Sequence, residues 1–370
     1  MKMKKIKECS PGGRNEEEGL RDGVCGGIPP RNPFPYTPLR FVWPLKKFRA
    51  DLKMASIGSC FSDSLSGRLS ESGFRVVWNP NGILYNPVSI RDALFHAAED
   101  VPYTEKDFFE ADGLWHSWLH HGCFSRPSRA EALHAAETSR IAFRHALLEA
   151  GAVLITESSA LLYEVAAPWG EGRRDEDGGG RRIAANCHRM PGKCFIRRLA
   201  TREELEHAVK ESVALVRRVN PSCSVILTLS PVRHYPGDLL LNSRSKAMLL
   251  SAIHEAVGNT DNCAYFPAYE ILMDELRDYR FYAPDMLHPS PLAEEIILTR
   301  FLSLCFEPEA MLRFRESELL RRKNAHIERR PFLPSGTVTG GGDAPSFSFS
   351  SSSPSAAFST GQDEETQRGI

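Results

Sequence analysis

The feature that most restricts this chain is a repeated exchange between short apolar runs and helical periodicity. Apolar stretches of strand length recur at residues 54–57, 75–78, 152–156, 224–229 and 262–266. Between them, apolar residues fall at helical spacing. Phe61, Leu65 and Leu69 share one face of a segment at 61–72 that stops at Gly73. Further helices are expected at 87–98, 130–149, 243–257 and 290–306, with a charged one over about 307–329. Another opens at Thr201, where Glu204 completes a capping-box pattern, and runs to about Val219. Strands alternating with helices of this length predict an α/β fold, a three-layer α/β/α arrangement on a parallel, doubly wound sheet. The unbroken apolar run at 224–229 suits a strand covered on both faces. Ile57, Val76, Ile155, Ile226 and Leu227 are the expected sheet core. In such sheets sites collect where the strands end at their carboxyl side, which singles out the loops after Ile57, Trp78, Thr156, Leu229 and Phe266.

Flanking composition sets the domain limits. Residues 1–36 are polar and rich in Gly and Pro, and are read as a flexible leader. Their basic start is not followed by an apolar stretch, so a secretory signal is not expected. The domain is placed at 37–330. Within it, GEGRRDEDGGGRR at 170–182 reads as an exposed loop between two strands. From 335 onward the Ser/Gly-rich chain cannot bury enough apolar surface to offset its entropy, and a disordered tail is expected at 335–370.

The net charge of -1 gives no global field for nucleic acid or an anionic membrane, and no basic stripe is present. No run of about 18 apolar residues occurs, so no membrane span is expected. Nine scattered cysteines, with no CxxC pair, favour reduced thiols and a cytoplasmic setting over a disulfide framework.

Three stretches carry candidate chemistry. In SIGSCFS (56–62) a strand runs into a turn and a helix. Gly58 permits the sharp path. A side chain at the helix start sits at the positive end of the dipole, where a thiol is acidified and spare N–H groups can receive an oxyanion. Ser59 and Cys60 are both able nucleophiles; the plainer reading is a small-residue turn under the sheet. In DMLH (285–288) the Asp285 carboxylate can orient the His288 imidazole as a general base, against the plainer reading of a surface loop. In NPNGILYNP (79–87) Gly82 can lend its N–H to an oxyanion hole, or simply build a Pro/Asn/Gly turn. His116, His120 and His121 have a spacing that could bind a metal on a helix, but no acidic partner accompanies them, so no metal site is expected. His120 is read as a pocket residue instead. His234, beside Arg233 after the strand at 224–229, is read as a substrate contact, with a surface loop as the plain alternative.

These pieces together resemble the GSCFA-domain family, through GSCF at 58–61 (with Ser62 where the family has Ala), NPNGILYNPVSI, GLWHSWLHHGCFS, AANCHRMP, LTLSPVRHY and DMLHPSPLAEE. The resemblance spans roughly residues 40–305. That family is similar to the SGNH/GDSL hydrolases. The resemblance implies a nucleophile turn after the first strand, an oxyanion Gly after the second and an Asp-x-x-His near the end. Gly58, Gly82, Asp285 and His288 match these positions. In strict register Cys60 falls on the nucleophile, and a shift of one residue restores Ser59. The oxyanion Asn expected after the third strand is replaced by TESSA at 156–160, leaving Asn186 as the substitute. The implied function is ester hydrolysis or acyl transfer on a small or O-acylated carbohydrate ester, with no cofactor. The missing Asn and the Ser-Cys pair also motivate an alternative, a non-catalytic binding protein on the same fold.

Overall fold

A computed structural model describes residues 38–166, 182–234 and 238–328. The expected leader, most of the loop at 170–182 and the tail from 335 lie outside these residues. The chain divides into a compact unit, 1–322, and a second, 323–370, whose described part is the end of the last helix.

The first unit is built on a parallel five-stranded sheet. In chain order its strands are β1 (Lys53–Gly58), β2 (Arg75–Trp78), β5 (Ala152–Glu157), β8 (Ser224–Leu229) and β9 (Cys263–Phe266), laid side by side as β2-β1-β5-β8-β9. Every pairing is parallel. The helices are α1 (Cys60–Glu71), α2 (Pro87–Ala98), α3 (Arg129–Glu149), α4 (Arg202–Val219), α5 (Leu239–Gly258), a short α6 (Ala268–Glu270), α7 (Pro291–Cys305) and α8 (Pro308–Glu328). Two small antiparallel hairpins are inserted, β3 (Phe108–Ala111) with β4 (Leu114–Ser117), and β6 (Leu161–Val165) with β7 (Phe195–Leu199).

The period-two geometry of a strand sorts side chains to opposite faces. Register aligns Ile57 with Ile155 and Ile155 with Leu227, and these three join one core with Ile90, Phe143, Val209 and Ile253 from α2, α3, α4 and α5. Met54, Leu154 and Ile226 point the other way, against Phe61 and Leu65 of α1, Phe301 of α7 and Phe314 of α8. The two cores make the three layers. Val76, expected in the core, is only half-buried, and Val77 beside it is 44% exposed. β2 is the sheet edge, paired only with β1, so its apolar residues are covered less completely.

The chain leaves β1 towards β2 and then returns past β1 to β5, so the winding direction reverses at β1. Crevices at such a reversal are where doubly wound sheets place their ligands. α1 and α7 lie on the same face, and both begin at the carboxyl edge of the sheet. Pro291 at the first position of α7 and the Ser290 hydroxyl accepting from Ala293 N fix where that helix starts. The turn holding His288 is thereby delivered beside Cys60. The described residues contain no helix long and apolar enough to cross a membrane.

Candidate active site

The strand-to-helix turn after β1 depends on Gly58. Its φ is +148°, and a Cβ there would stand 2.3 Å from the Thr156 carbonyl oxygen on β5. Both Gly58 backbone groups are tied to the loop after β2: its N–H donates to Asn79 Oδ1 at 3.0 Å, and its carbonyl accepts from Leu84 N at 2.9 Å. Asn79 in turn donates to Asp63 Oδ1 on α1, at 3.1 Å. The turn is therefore braced from three elements.

The two candidate nucleophiles are separated by one residue's rotation. Ser59 is the N-cap of α1, fully buried, and its Oγ has no hydrogen-bond partner. It faces the interior and makes no bond to His288. Cys60, the first residue of α1, is half-buried, and its Sγ lies 3.6 Å from His288 Nε2. Because the Ser59 side chain caps nothing, the first-turn N–H groups of α1 keep no capping side chain.

Asp285 folds the other half of the site around itself. Its Oδ1 accepts from Leu287 N at 2.9 Å and from His288 N at 3.0 Å, while Oδ2 accepts from His288 Nδ1 at 2.7 Å. Met286 takes the left-handed conformation needed to close the turn, at φ +59°. The loop after β8 holds this turn from outside, with Arg233 N donating to Leu287 O at 3.0 Å. The hydrogen bond to Cys60, seconded by Asp285, raises the His288 pKa to about 9 against the opposing effect of burial. Burial alone would raise Asp285. The N–H groups of Leu287 and His288 and the imidazole outweigh it, and the carboxyl sits below its ordinary range. Cys60, His288 and Asp285 thus form a continuous line from sulfur to carboxylate.

Other expectations need correction. The Gly82 N–H is already donated to Asn79 O at 2.8 Å, so it is not open to an oxyanion. Gly82 is instead required by packing: a Cβ there would stand 2.4 Å from His121 Cβ, at a φ of +74°. His120 sits among aromatic rings rather than on the wall that holds Asn186 and His234. It is fully buried, its ring centroid 4.5 Å from Tyr103 and 5.0 Å from Phe124, and burial depresses its pKa to about 3. His116 lies on strand β4 rather than a helix, so the helical spacing that suggested a metal does not arise. No group of three His, Cys, Asp or Glu among the described residues is placed to hold a metal ion.

Asn186 and His234 meet on the wall of a cavity of about 160 Å³, with Tyr85, Asn86, Tyr163 and Cys187. Asn186 Oδ1 accepts from His188 N at 2.8 Å. The His234 and Tyr85 rings lie 4.8 Å apart. Burial, with Lys246 and His288 nearby, lowers the His234 pKa to about 4. Burial, with Cys60 adding to it, pushes Tyr85 up to about 12. The charges of Cys60 and His288 thus act on two residues of the cavity wall.

Sequence reasoning passed over Tyr85, Glu157 and Lys246. Tyr85 stood inside a quoted motif, and Lys246 could have been noticed as a cation on the apolar stripe of α5 formed by Leu249, Ile253 and Ala256. Nothing local marked Glu157, the last residue of β5. It is fully buried, neither carboxyl oxygen has a partner, and burial raises its pKa to about 8.

No curated protein sequence matches the chain. Solved structures similar to it include esterases and an α/β hydrolase. A family 3 carbohydrate esterase from Clostridium thermocellum has 8% identity and a TM-score of 0.32, over 68% of this chain and 94% of that one. An acetyl xylan esterase from the rumen bacterium Butyrivibrio proteoclasticus has 11% identity and a TM-score of 0.32, over 76% of this chain and 66% of that one. An α/β hydrolase from the metagenome of Lake Arreo, Spain, has 16% identity and a TM-score of 0.33, over 71% of this chain and 98% of that one. Likeness at this level bears on neither residue roles nor substrate. The family profile is decisive: it matches residues 53–301, more than half of the chain, from β1 through most of α7, and the chain belongs to the GSCFA family.

Proposed function

We propose that this protein is an ester hydrolase or acyltransferase in which Cys60 is the nucleophile, His288 the proton carrier and Asp285 the residue that orients it. The observation that carries this reading is the line Cys60 Sγ to His288 Nε2 at 3.6 Å and His288 Nδ1 to Asp285 Oδ2 at 2.7 Å. A nucleophile within reach of a base that is itself oriented by a third group is the signature of covalent acyl transfer. His288, its pKa raised by its partners, accepts the Cys60 proton at Nε2 to release the thiolate for attack. The thiolate attacks an acyl carbonyl, and the imidazolium Nε2 gives its proton to the departing alkoxide. The neutral imidazole then draws a proton from water or an acceptor alcohol as it attacks the thioester, which frees the acid or the new ester. With Gly82 N–H committed elsewhere, the uncapped first-turn N–H groups of α1 are the donors proposed for the oxyanion.

The cavity of about 160 Å³ lined by Tyr85 and His234 is the space proposed for the substrate. It is smaller than the roughly 300–1,000 Å³ of sites for drug-sized ligands. Two tyrosines, two asparagines and His234 give it aromatic faces and amide groups, which suits a small or O-acylated carbohydrate ester. The described cysteines are free thiols, in keeping with a cytoplasmic setting.

The test is turnover of an aryl acetate and of O-acetylated sugars by the purified chain. Cys60→Ala and His288→Ala should each abolish it, and Ser59→Ala should retain it. Undiminished turnover in Cys60→Ala would overturn the assignment. A chain that binds acylated sugars but never turns them over would favour the binding-protein alternative.

A further inference from the structure

The cavity that Tyr85, Asn86, Tyr163, Asn186 and His234 line is tied by its backbone to both halves of the Cys60–His288 site. Leu84, next to Tyr85, donates its N–H at 2.9 Å to the carbonyl of Gly58, which leads through Ser59 into Cys60. Arg233, next to His234, donates its N–H at 3.0 Å to the carbonyl of Leu287, the neighbour of His288. The Tyr85 and His234 rings meet between these two anchors, with centroids 4.8 Å apart.

Two asparagines stand on this wall with their amides held in one orientation. The Asn86 oxygen accepts from Ser89 N at 2.9 Å as the N-cap of α2. The Asn186 oxygen accepts from His188 N at 2.8 Å. A backbone N–H can only donate, so the atom it meets is the amide oxygen and the other is the NH2 group. Neither NH2 group has an acceptor among the described residues, although Asn86 is only 3% exposed. Capping alone would be served by Ser, Thr or Asp. An amide adds a donor, and a buried donor left unmatched is costly. Among the described residues the lining holds no Asp, Glu, Lys or Arg, and burial keeps His234 neutral. The wall thus offers fixed donors and aromatic faces without a charge.

We propose that Asn86 and Asn186 are the specificity-determining residues of this site: their NH2 groups donate to two hydroxyl oxygens on the alcohol part of the ester, and the substrate is an O-acylated neutral sugar. This rests on the reading of Cys60 as the nucleophile and of the cavity as the substrate space. A hydroxyl oxygen can accept from an amide while donating its own proton elsewhere. An alcohol of the same shape without hydroxyls would leave both amides buried and unmatched. Sites built on such donors reject that analogue far more strongly than an apolar pocket rejects an extra methylene.

The experiment compares kcat/KM, in the full chain, for an O-acetylated hexopyranose and for cyclohexyl acetate, esters of six-membered rings with and without hydroxyls. The unaltered chain should prefer the sugar ester roughly hundredfold, about tenfold for each donor. Asn86→Ser and Asn186→Ser each keep an oxygen that can accept the same backbone N–H and remove the NH2 group. Each should lower the preference roughly tenfold, through a higher KM for the sugar ester. A merely structural role would slow both esters alike and leave their ratio where it was. Serine variants with an unchanged ratio overturn the proposal. Where near-UV circular dichroism shows that a serine variant does not fold, Asn→Asp at the same position, which keeps the shape and the accepting oxygen, carries the same test.

The unaltered chain also decides by itself. Equal kcat/KM for the two esters, with Cys60-dependent turnover of an aryl acetate intact, overturns this proposal alone. If the chain turns over none of the three esters, the reading of Cys60 fails and the proposal falls with it.

Discussion

Gly58 packs against Thr156 so closely that a Cβ at 58 would stand 2.3 Å from the Thr156 carbonyl oxygen and 2.8 Å from its Cβ. The obstacle is mainly backbone of the neighbouring strand, which cannot swing aside as a flexible side chain can. Gly58→Ala must part β1 from β5 or reshape the turn, at a cost at the upper end of, or beyond, the ~1–3 kcal/mol of ordinary overpacking. A thermal melt should show a large fall in Tm together with lost turnover. A melt matching that of the unaltered chain would show that the close approach is not maintained in solution.

Asp285→Asn keeps an oxygen that can accept from Leu287 N and His288 N, so the turn should survive. What is lost is the charge that steadies the imidazolium. Because Asp285 is 46% exposed, the melt should change little. kcat/KM should fall by about 10²–10⁴-fold, the usual worth of general acid–base help. A variant with near-full kcat/KM would remove Asp285 from the proposed mechanism.

The sheet was legible because its inner strands are unbroken apolar runs: Ile57, Ile155, Ile226 and Leu227 are all fully buried. Val76 departs from that pattern because burial in an edge strand depends on neighbours that sequence does not reveal. The hairpins β3–β4 and β6–β7 went unread, since four or five residues give too little periodicity to tell strand from loop. That His288 would meet the Ser59–Cys60 turn was expected from motif order and the rule that parallel strands open on one side; which of the two residues faces the imidazole depends on where α1 begins, which the sequence left open. Gly82 was misread because a glycine needed for packing against His121 looks the same in sequence as one that lends its N–H. Lys246 went unread because the carbonyls its Nζ meets, Ser158 O and Ser230 O, are far away along the chain.

Glu157 makes stability depend on pH. Its carboxyl is buried without a partner, and burial raises its pKa from 4.5 to about 8. The folded state therefore holds a proton that the unfolded chain releases. The contribution is fully present below about pH 4.5 and is lost as pH rises towards and through about 8. Denaturant melts at pH 6 and pH 9 should show the decline, and Glu157→Gln should reduce it. Equal slopes in the two chains would mean that the carboxyl is ionised and solvated in the fold.

His288 sets an upper pH limit for acylation. Its imidazolium, held by Cys60 and Asp285 to about pH 9, is the acid that protonates the leaving alkoxide. The same raised pKa stabilises the fold below about 6.5, and that contribution is lost as pH rises through about 9. Single-turnover acylation by an alkyl ester, whose alkoxide needs that proton, should fall above about pH 9. A rate still climbing past that point would assign the acid role elsewhere.

Acylation of Cys60 is read from the mass of the chain trapped during turnover of an aryl ester. One added acyl group is expected, located by peptide mapping on Cys60 and absent from Cys60→Ala and His288→Ala. An acyl group found on Ser59, or full turnover with no acyl group on Cys60, would contradict the role assigned to Cys60.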